Sequence, residues 1–306
     1  MPLAWPPMAN SSRHIAEHLT KGFLTIGDVM GDNIPHNAMK RQVTREFFES
    51  HPVFSLDEAT SALAAPGGKA GTVERLKYHL HSGRLKSVAR EIYAVVPPGL
   101  SADRFFPESF LVAVAIRPEG VFSHHSALEL LGAAHSIWGQ CTLYVDMRRR
   151  PLALAGATLR FLDHPKALRS DRDKYFGTRM VERRARMLRS TGPERTLVEG
   201  FRQPDLVGGL EELVRSAGGF PTLDLELLEQ VLRRYDVRNL WASVGWFLER
   251  FRLTFHVDDS YLRRIESHTP KSPHYMVRRR RGGILSPRWN LIVPHELSRL
   301  GESDEP

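Results

Sequence analysis

The sequence predicts an α+β protein, in which a small N-terminal unit of helices and a β-hairpin precedes a larger mixed α/β domain. Three observations predict this class. With 306 residues, the chain is long enough for two domains. Within residues 43–98, apolar residues at helical spacing are followed by two short strand-like runs. From residue 103 to 297, helix-like and strand-like segments alternate.

The ends of the chain and the junction between its two parts set the expected domain boundaries. Residues 1–42 are expected to be a weakly ordered extension, because Pro, Ser, Asn and Gly are scattered through them with little periodicity. Pro97-Pro98-Gly99 ends the first unit, because two prolines cannot continue a strand ladder. Such a linker marks a point where few contacts cross, so each part is expected to fold alone. Residues 298–306 read as an acidic tail.

The first unit begins with three helices. Val43–Ser50 is a short helix candidate. Ser55 and Glu58 have the spacing of a capping box, which predicts a helix from Leu56 to about Ala65. Pro66-Gly67-Gly68 breaks that helix. The next helix is expected over Thr72–His81, with Val73, Leu76 and Leu80 facing inward and Gly83 ending it.

Two strands, Arg84–Val88 and Ile92–Val95, complete the unit, which then has the element order of a winged helix-turn-helix. The second helix of that motif enters the major groove of DNA. We expect Arg75 and Tyr78 to meet base edges and the hairpin to meet phosphates. The full expected DNA-contacting set is Lys69, Thr72, Arg75, Lys77, Tyr78, His79, Arg84, Lys86 and Arg90. Two alternatives stay open: winged helices also dock proteins, and a basic helix face can simply be solvated.

The overall charge agrees with a nucleic-acid partner. The formal net charge is +8 with a pI near 9.8, and only 8 of the 43 basic residues are lysine. Arginine suits bidentate contacts with phosphate and guanine. Arginine-rich coding bias would produce the same composition, so charge alone proves no partner.

The larger region shows regular elements but little chemistry. Helices are expected at Ser123–Leu131, Pro193–Phe201, Leu223–Tyr235 and Leu240–Phe251, and strands at Thr142–Asp146, Thr158–Leu162 and Trp289–Val293. No glycine-rich phosphate loop and no Gly-x-Ser-x-Gly elbow is present. Pro204-Asp205 lacks the Glu-x-Lys of restriction-type nucleases. We therefore expect no enzymatic activity and no cofactor.

Histidine and cysteine residues give no convincing metal site. His124 and His125 are adjacent, so they diverge on a helix and are expected to be packed or capped. His14-Ile-Ala-Glu17-His18 fits the H-x-x-E-H pattern of inverted zinc proteases, but it lies in the poorly patterned extension and has no third ligand. The single cysteine, Cys141, excludes an internal disulfide.

Two arginine runs remain, and the localisation follows from what the chain lacks. Both Arg148–Arg150 and the second run are expected to be solvated faces. The second run could instead contact DNA phosphates or an acidic partner protein, and its residues are the partner-binding candidates Arg278, Arg279, Arg280 and Arg281. No apolar run approaches the length of a membrane helix, and the N-terminus lacks the pattern of a secretory signal. We expect a cytoplasmic protein without a membrane partner.

Several motifs, taken in order, resemble a known family. They are Arg90-Glu-Ile-Tyr-Ala-Val-Val-Pro97, Ser123-His-His-Ser-Ala-Leu128, Arg195-Thr-Leu-Val-Glu-Gly200, Gln203 to Glu212, and Ser286-Pro-Arg-Trp-Asn-Leu-Ile-Val-Pro294. Together they span about residues 43–297 and resemble the AbiEi antitoxins of abortive-infection (type IV) toxin–antitoxin systems, which act in phage defence. The family often has glycine where this chain has Glu91, so a less tightly turned hairpin is expected here.

The resemblance implies a function in two parts. The winged helix would repress its own operon by binding promoter DNA, where inverted repeats are expected. The domain at 103–297 would counteract a co-encoded nucleotidyltransferase-like toxin, without enzymatic activity of its own. The alternative is a ligand-responsive winged-helix regulator without a toxin partner. A DNA reader fused to a nuclease is a further alternative, but it would need a carboxylate cluster that the sequence lacks.

Overall fold

The computed structural model describes residues 36–147, 149–277 and 282–298. Contacts divide the chain into two compact units, residues 1–46 and 47–306. The first helix, α1 (His36–Ser50), runs across this division. The described residues form a mixed α/β architecture of helices and several sheets, consistent with the α+β class. None of the described helices combines the length and the apolar composition needed to cross a bilayer.

A pair of helices and a small sheet follow α1. The elements are strand β1 (Val53–Ser55), helices α2 (Leu56–Leu63) and α3 (Gly68–His81), and strands β2 (Leu85–Ala89) and β3 (Ile92–Val95). The capping box is confirmed: Ser55 Oγ accepts from the Glu58 N–H at 3.2 Å, and Glu58 Oε2 accepts from the Ser55 N–H at 2.8 Å. Gly83, at φ 71°, follows the last residues of α3 as predicted.

The three strands form an antiparallel sheet in the order β1-β3-β2. Only Arg90 and Glu91 connect β2 to β3, because Ala89 pairs directly with Ile92. Glu91 has φ 59°, the left-handed conformation that glycine adopts most easily. The expectation of a looser turn is therefore wrong. The turn has only two residues, and Glu91 adopts a left-handed backbone conformation that is unfavourable for a residue other than glycine.

A six-stranded sheet lies at the centre of the larger region. Its strands are β4 (Val121–Phe122), β5 (Gln140–Val145), β6 (Leu152–Leu154), β7 (Ala157–Asp163), β8 (Thr178–Arg183) and β9 (Arg186–Thr191), in the order β6-β7-β5-β4-β9-β8. The pairs β5–β7 and β4–β9 are parallel, and the others are antiparallel. Helix α4 (Ser109–Ile116) is almost wholly apolar and packs with Leu143, Leu159 and Phe161.

Most of the remaining helices form a second core. The elements are α5 (His125–Leu130), α6 (Pro193–Arg202), α7 (Leu210–Gly218), α8 (Leu225–Tyr235), α9 (Arg238–Arg250), α10 (Asp259–Glu266), β10 (His274–Tyr275), β11 (Ile284–Ser286), β12 (Leu291–Val293) and α11 (His295–Ser298). Strands β10, β12 and β11 form a small mixed sheet. Trp289 is fully buried against α9, where a side chain at Gly245 would lie 2.2 Å from the indole ring. Glycine is required there because the ring approaches the helix so closely.

The boundary at residues 97–99 is not a point where few contacts cross. Helix α4 contacts β1 and β3 as well as β5 and β7. Val53, Ile92 and Ala94 belong to the same buried cluster as Phe110 and Leu143. The expectation of sparse contacts at Pro97-Pro98-Gly99 is wrong, because the apolar helix α4 contacts strands of both the three-stranded and the six-stranded sheet.

Candidate functional site

The outward face of helix α3 is an exposed surface of the predicted DNA-binding unit. Glu74, Lys77, Tyr78 and His81 are exposed and recur at helical spacing, so they share one face. The Tyr78 side chain is 71% exposed, which is unusual for an aromatic residue on a packed helix. The opposite face packs through Leu76, which is fully buried.

Two residues expected on the DNA face are buried instead. Thr72 is fully buried, and its Oγ1 donates to the Gly68 carbonyl at 3.0 Å. His79 is 8% exposed and lies edge-on to the Phe48 ring. Burial lowers the pKa of His79, and the nearby Arg84 and Arg75 lower it further. Thr72 and His79 therefore belong to the buried stripe of α3 and lie off the exposed face on which DNA contacts are predicted.

Arg75 occupies an intermediate position. The sequence placed it beside Tyr78 for reading bases, but the structure leaves it half-buried. Its Nη1 donates to the Leu63 carbonyl at the end of α2, at 3.4 Å. In this conformation the Arg75 side chain links helix α3 to the end of helix α2.

The predicted lysines have partners within the protein. Lys69 Nζ lies 3.2 Å from both Asp57 Oδ1 and Glu91 Oε1. Lys77 Nζ lies 2.6 Å from Glu74 Oε1. These pairs are exposed and contribute little to stability, so phosphate can replace the carboxylates.

Lys86 differs from Arg84 and Arg90 in its exposure and in its contacts within the protein. Lys86 Nζ donates to the Phe105 carbonyl at 2.7 Å and lies over the Phe106 ring. Arg84 and Arg90 are exposed, and the Arg84 guanidinium lies 5.9 Å from the Phe48 ring centre. Among the arginines of the predicted set, Arg84 and Arg90 are therefore the two that are exposed.

Sequence reasoning missed the β8–β9 hairpin, which carries five arginines: Arg179, Arg183, Arg184, Arg186 and Arg189. Arg183 and Arg184 pair with Glu108, and Arg186 pairs with Glu58 at the start of α2. Burial opposes ionisation of Glu58, but hydrogen bonds from the Ser55 N–H and Arg186 outweigh it and lower the pKa of Glu58. The sequence shows this cluster of arginines, but not their carboxylate partners, which lie far away along the chain.

A buried polar network lies beside α6. Arg195 Nε donates to Glu199 Oε1 at 2.8 Å, and Tyr235 and Tyr144 donate to the two Glu199 oxygens at 2.5 and 3.1 Å. Burial favours a neutral Glu199, but the adjacent Arg195 and its hydrogen bonds lower its pKa. Burial and the Glu199 charge raise the pKa of both tyrosines. This arrangement fixes a buried charge pair and orients the helices around it.

The adjacent histidines are both buried, as expected. His124 has φ 56°, and burial lowers its pKa to about 4. His125 Nδ1 lies 3.1 Å from Glu129 Oε1, and its Nε2 lies 3.5 Å from Glu212 Oε1. Burial also raises the pKa of the Cys141 thiol to about 12, so this thiol is a poor nucleophile near neutral pH.

A cavity of about 770 Å³ lies between strand β7, the C-terminal end of α6 and the start of α9. Arg160, Arg202 and Asp205 supply charged groups to its wall. Phe201 and Leu240 supply apolar surface. A cavity of this size suits a small organic ligand.

Three sequence features lie outside the described residues. These are the partner-binding candidates Arg278–Arg281, the first residue of the run Arg148–Arg150, and the pattern from His14 to His18. Within the described ranges, His, Cys, Asp and Glu side chains form no group suited to a metal ion.

Comparison with known proteins shows a similarity of fold only. No protein-family model matches the chain, and no curated protein matches it. Among solved structures, the crystal structure of the Rv2827c protein from Mycobacterium tuberculosis is similar, with a TM-score of 0.53 and 15% sequence identity. The match covers 83% of this chain and 91% of that protein. The chain shares a distant overall fold with that protein.

Proposed function

We propose that this chain is a cytoplasmic DNA-binding repressor that also counteracts a toxin. Helices α2 and α3 act as a helix-turn-helix, and the β2–β3 hairpin acts as a short wing. The observation that carries the proposal is the exposed face of α3, where Tyr78 and Lys77 project from a helix whose opposite side is buried.

The dimensions of α3 suit the major groove. Its 14 residues give a rod about 21 Å long, and a groove about 12 Å wide admits one helix. An exposed tyrosine offers both a ring for thymine methyl groups and a hydroxyl for base edges. Arg84 and Arg90 on the hairpin supply phosphate contacts that position the helix.

The antitoxin part of the proposal rests on the resemblance to AbiEi proteins. The motif Arg195-Thr-Leu-Val-Glu199 that contributes to the resemblance supplies the buried charge pair of α6. Its role in this proposal is to hold the fold of the region that counteracts a nucleotidyltransferase-like toxin. The chain itself needs no catalytic residue or cofactor for this function.

A gel-shift titration on the DNA upstream of the gene tests DNA binding. The triple variant Tyr78→Ala, Arg84→Ala, Arg90→Ala should lose specific binding. Arg215→Ala is the matched control, because Arg215 is an exposed arginine on α7 that pairs with Glu211. Equal affinity of wild type and triple variant would overturn the DNA-binding proposal.

Toxin neutralisation is tested with the intact chain, because the two regions share a core. The nucleotidyltransferase-like gene that the proposal expects beside this one is co-expressed with wild type or with the triple variant, and growth is scored. We expect both to rescue growth, which separates neutralisation from repression. Rescue by wild type alone would assign toxin control to repression, and no rescue by either would contradict the antitoxin proposal.

A second candidate function is a ligand-responsive regulator, which the 770 Å³ cavity favours. Gene context separates the two candidates. An adjacent, overlapping nucleotidyltransferase-like frame supports the antitoxin, and a solitary gene supports the regulator.

A further inference from the structure

Two arginines in the cavity lack carboxylate partners. Arg160 on β7 donates through Nη1 to Gln140 Oε1 at 3.0 Å, and Arg202 at the end of α6 donates to Gln203 Oε1 at 3.2 Å. Among the described residues, neither guanidinium lies within ion-pair distance of a carboxylate. Amide oxygens orient an arginine without neutralising it.

Other arginines of this region are neutralised. Arg195, Arg215 and Arg233 each pair with a glutamate one helical turn away. Asp205 is the one carboxylate among the described residues that line the cavity. Two guanidinium groups and one carboxylate leave the cavity wall positive, which favours an anionic occupant.

The geometry of the two arginines favours phosphate over carboxylate. They come from different elements, a strand and a helix end, so their donors enter the cavity from separate positions. One planar guanidinium satisfies a carboxylate, whose two oxygens lie in one plane. A phosphate offers three oxygens in different directions and can accept from both arginines.

The rest of the wall suits an organic group attached to that phosphate. Phe201, Leu240 and Met276 provide apolar surface for a flat ring. Asn239 donates through Nδ2 to the carbonyls of Tyr275 and Met276. Its Oδ1 has no hydrogen-bond partner among the described residues. That oxygen is itself buried, so the acceptor exposed to the cavity is Asp205, which suits hydroxyl or amino groups.

We propose that the cavity between β7, the end of α6 and the start of α9 binds a small organic phosphate of nucleotide size. Arg160 and Arg202 hold the phosphate, the apolar wall holds the ring, and Asp205 accepts from the sugar or the base. The site lies outside the α3 surface, and the assignment does not depend on DNA binding.

Calorimetric titration of the full chain with AMP, without DNA, tests this site. Adenosine and inorganic phosphate are titrated in parallel. We expect saturable AMP binding that is stronger than either comparison ligand, because only AMP engages both halves of the cavity. Arg160→Gln and Arg202→Gln should each weaken AMP binding by about tenfold or more, the effect of losing about 1.4 kcal/mol.

Arg215→Gln is the control and should bind AMP as wild type does. Because Arg202 is exposed, we expect Arg202→Gln to fold, and this variant alone tests the site if Arg160→Gln unfolds. Absence of saturable AMP binding to wild type, or unchanged binding in both variants, would overturn the proposal. Inorganic phosphate binding as tightly as AMP would overturn the nucleotide assignment. Loss of promoter binding in both variants, with no AMP binding, would assign the arginines to DNA instead.

Discussion

Arg186 on strand β9 donates through Nη2 to Oε1 of Glu58 at the start of helix α2, at 2.6 Å and across 128 positions of sequence. The same Glu58 closes the capping box with Ser55. One carboxylate therefore starts a helix of the proposed DNA-binding unit and ties it to the six-stranded sheet.

Arg186→Gln should destabilise the protein. It removes a charged hydrogen bond in a half-buried position, so we expect a loss of about 1–2 kcal/mol in the free energy of unfolding at pH 7. Urea denaturation measures it, with Arg179→Gln on the exposed edge of the same hairpin as the control. Because the pKa of Glu58 is lowered in the fold, its contribution is present above the unfolded pKa and is lost as pH falls through the folded pKa. An equal loss in both variants at pH 7 would show that only net charge matters.

Removing the hairpin arginines should change the salt dependence of DNA binding. Each phosphate contact contributes about 0.9 to the slope of log K against log salt. Arg84→Ala with Arg90→Ala should therefore reduce the magnitude of the slope by about 2. Gel shifts over a series of KCl concentrations measure it. A slope identical to wild type would mean that neither arginine contacts a phosphate.

The network around Glu199 should show a clear order of effects. Glu199→Gln leaves Arg195 buried without its ion pair and should cost about 3–5 kcal/mol. Tyr235→Phe removes one hydrogen bond to a charged acceptor and should cost about 1–3 kcal/mol. Thermal and chemical denaturation measure both. The reverse order would show that the tyrosine, and not the charge pair, holds the helices.

His124 should make the stability depend on pH. Its pKa is lowered to about 4 in the fold, so between its usual value of 6.5 and 4 the unfolded chain binds a proton that the folded chain does not. Stability therefore falls as pH falls through this window, by about 3 kcal/mol from this group. His124→Gln should flatten the dependence measured by urea denaturation. Tyr144→Phe is the control, because it disturbs the same network without removing a group that titrates there; equal slopes in wild type and His124→Gln would contradict the assignment.

A fragment of residues 103–306 should be less stable than the full chain. Without the first unit, helix α4 exposes the apolar surface that β1 and β3 cover. We expect a lower melting temperature and concentration-dependent association in light scattering. A fragment that melts at the temperature of the full chain would restore the view that the two regions fold independently.

Local signals in the sequence predicted most of the described helices but fewer than half of the described strands. The capping box at Ser55 and Glu58 and the glycine at position 83 act over a few residues, so they can be read directly. The buried face of α3 was harder to predict from the sequence, because Thr72 and His79 are polar. The apolar residues Val73 and Leu80, each one position further along, indicated a different buried face. The apolar run of α4 has no periodicity, so pattern alone does not distinguish a helix from a strand.

The candidate site was less predictable because it depends on pairs made in three dimensions. Whether Lys69 or Lys86 is available to DNA depends on Asp57, Glu91 and the Phe105 carbonyl. The cavity is lined by segments from residue 160 to residue 277. Only the fold shows that Arg160 and Arg202 share it.

Helix α4 also constrains how this protein can evolve by exchange of parts. Its side chains are matched on one side to β1 and β3 and on another to β5 and β7. A crossover between two related genes near codon 100 would join one parent's first sheet to the other parent's helix. Interiors tolerate such mismatched volumes poorly. Under the proposed function, new promoter specificity is therefore more readily acquired by substitution on the outer face of α3 than by replacing the whole first unit.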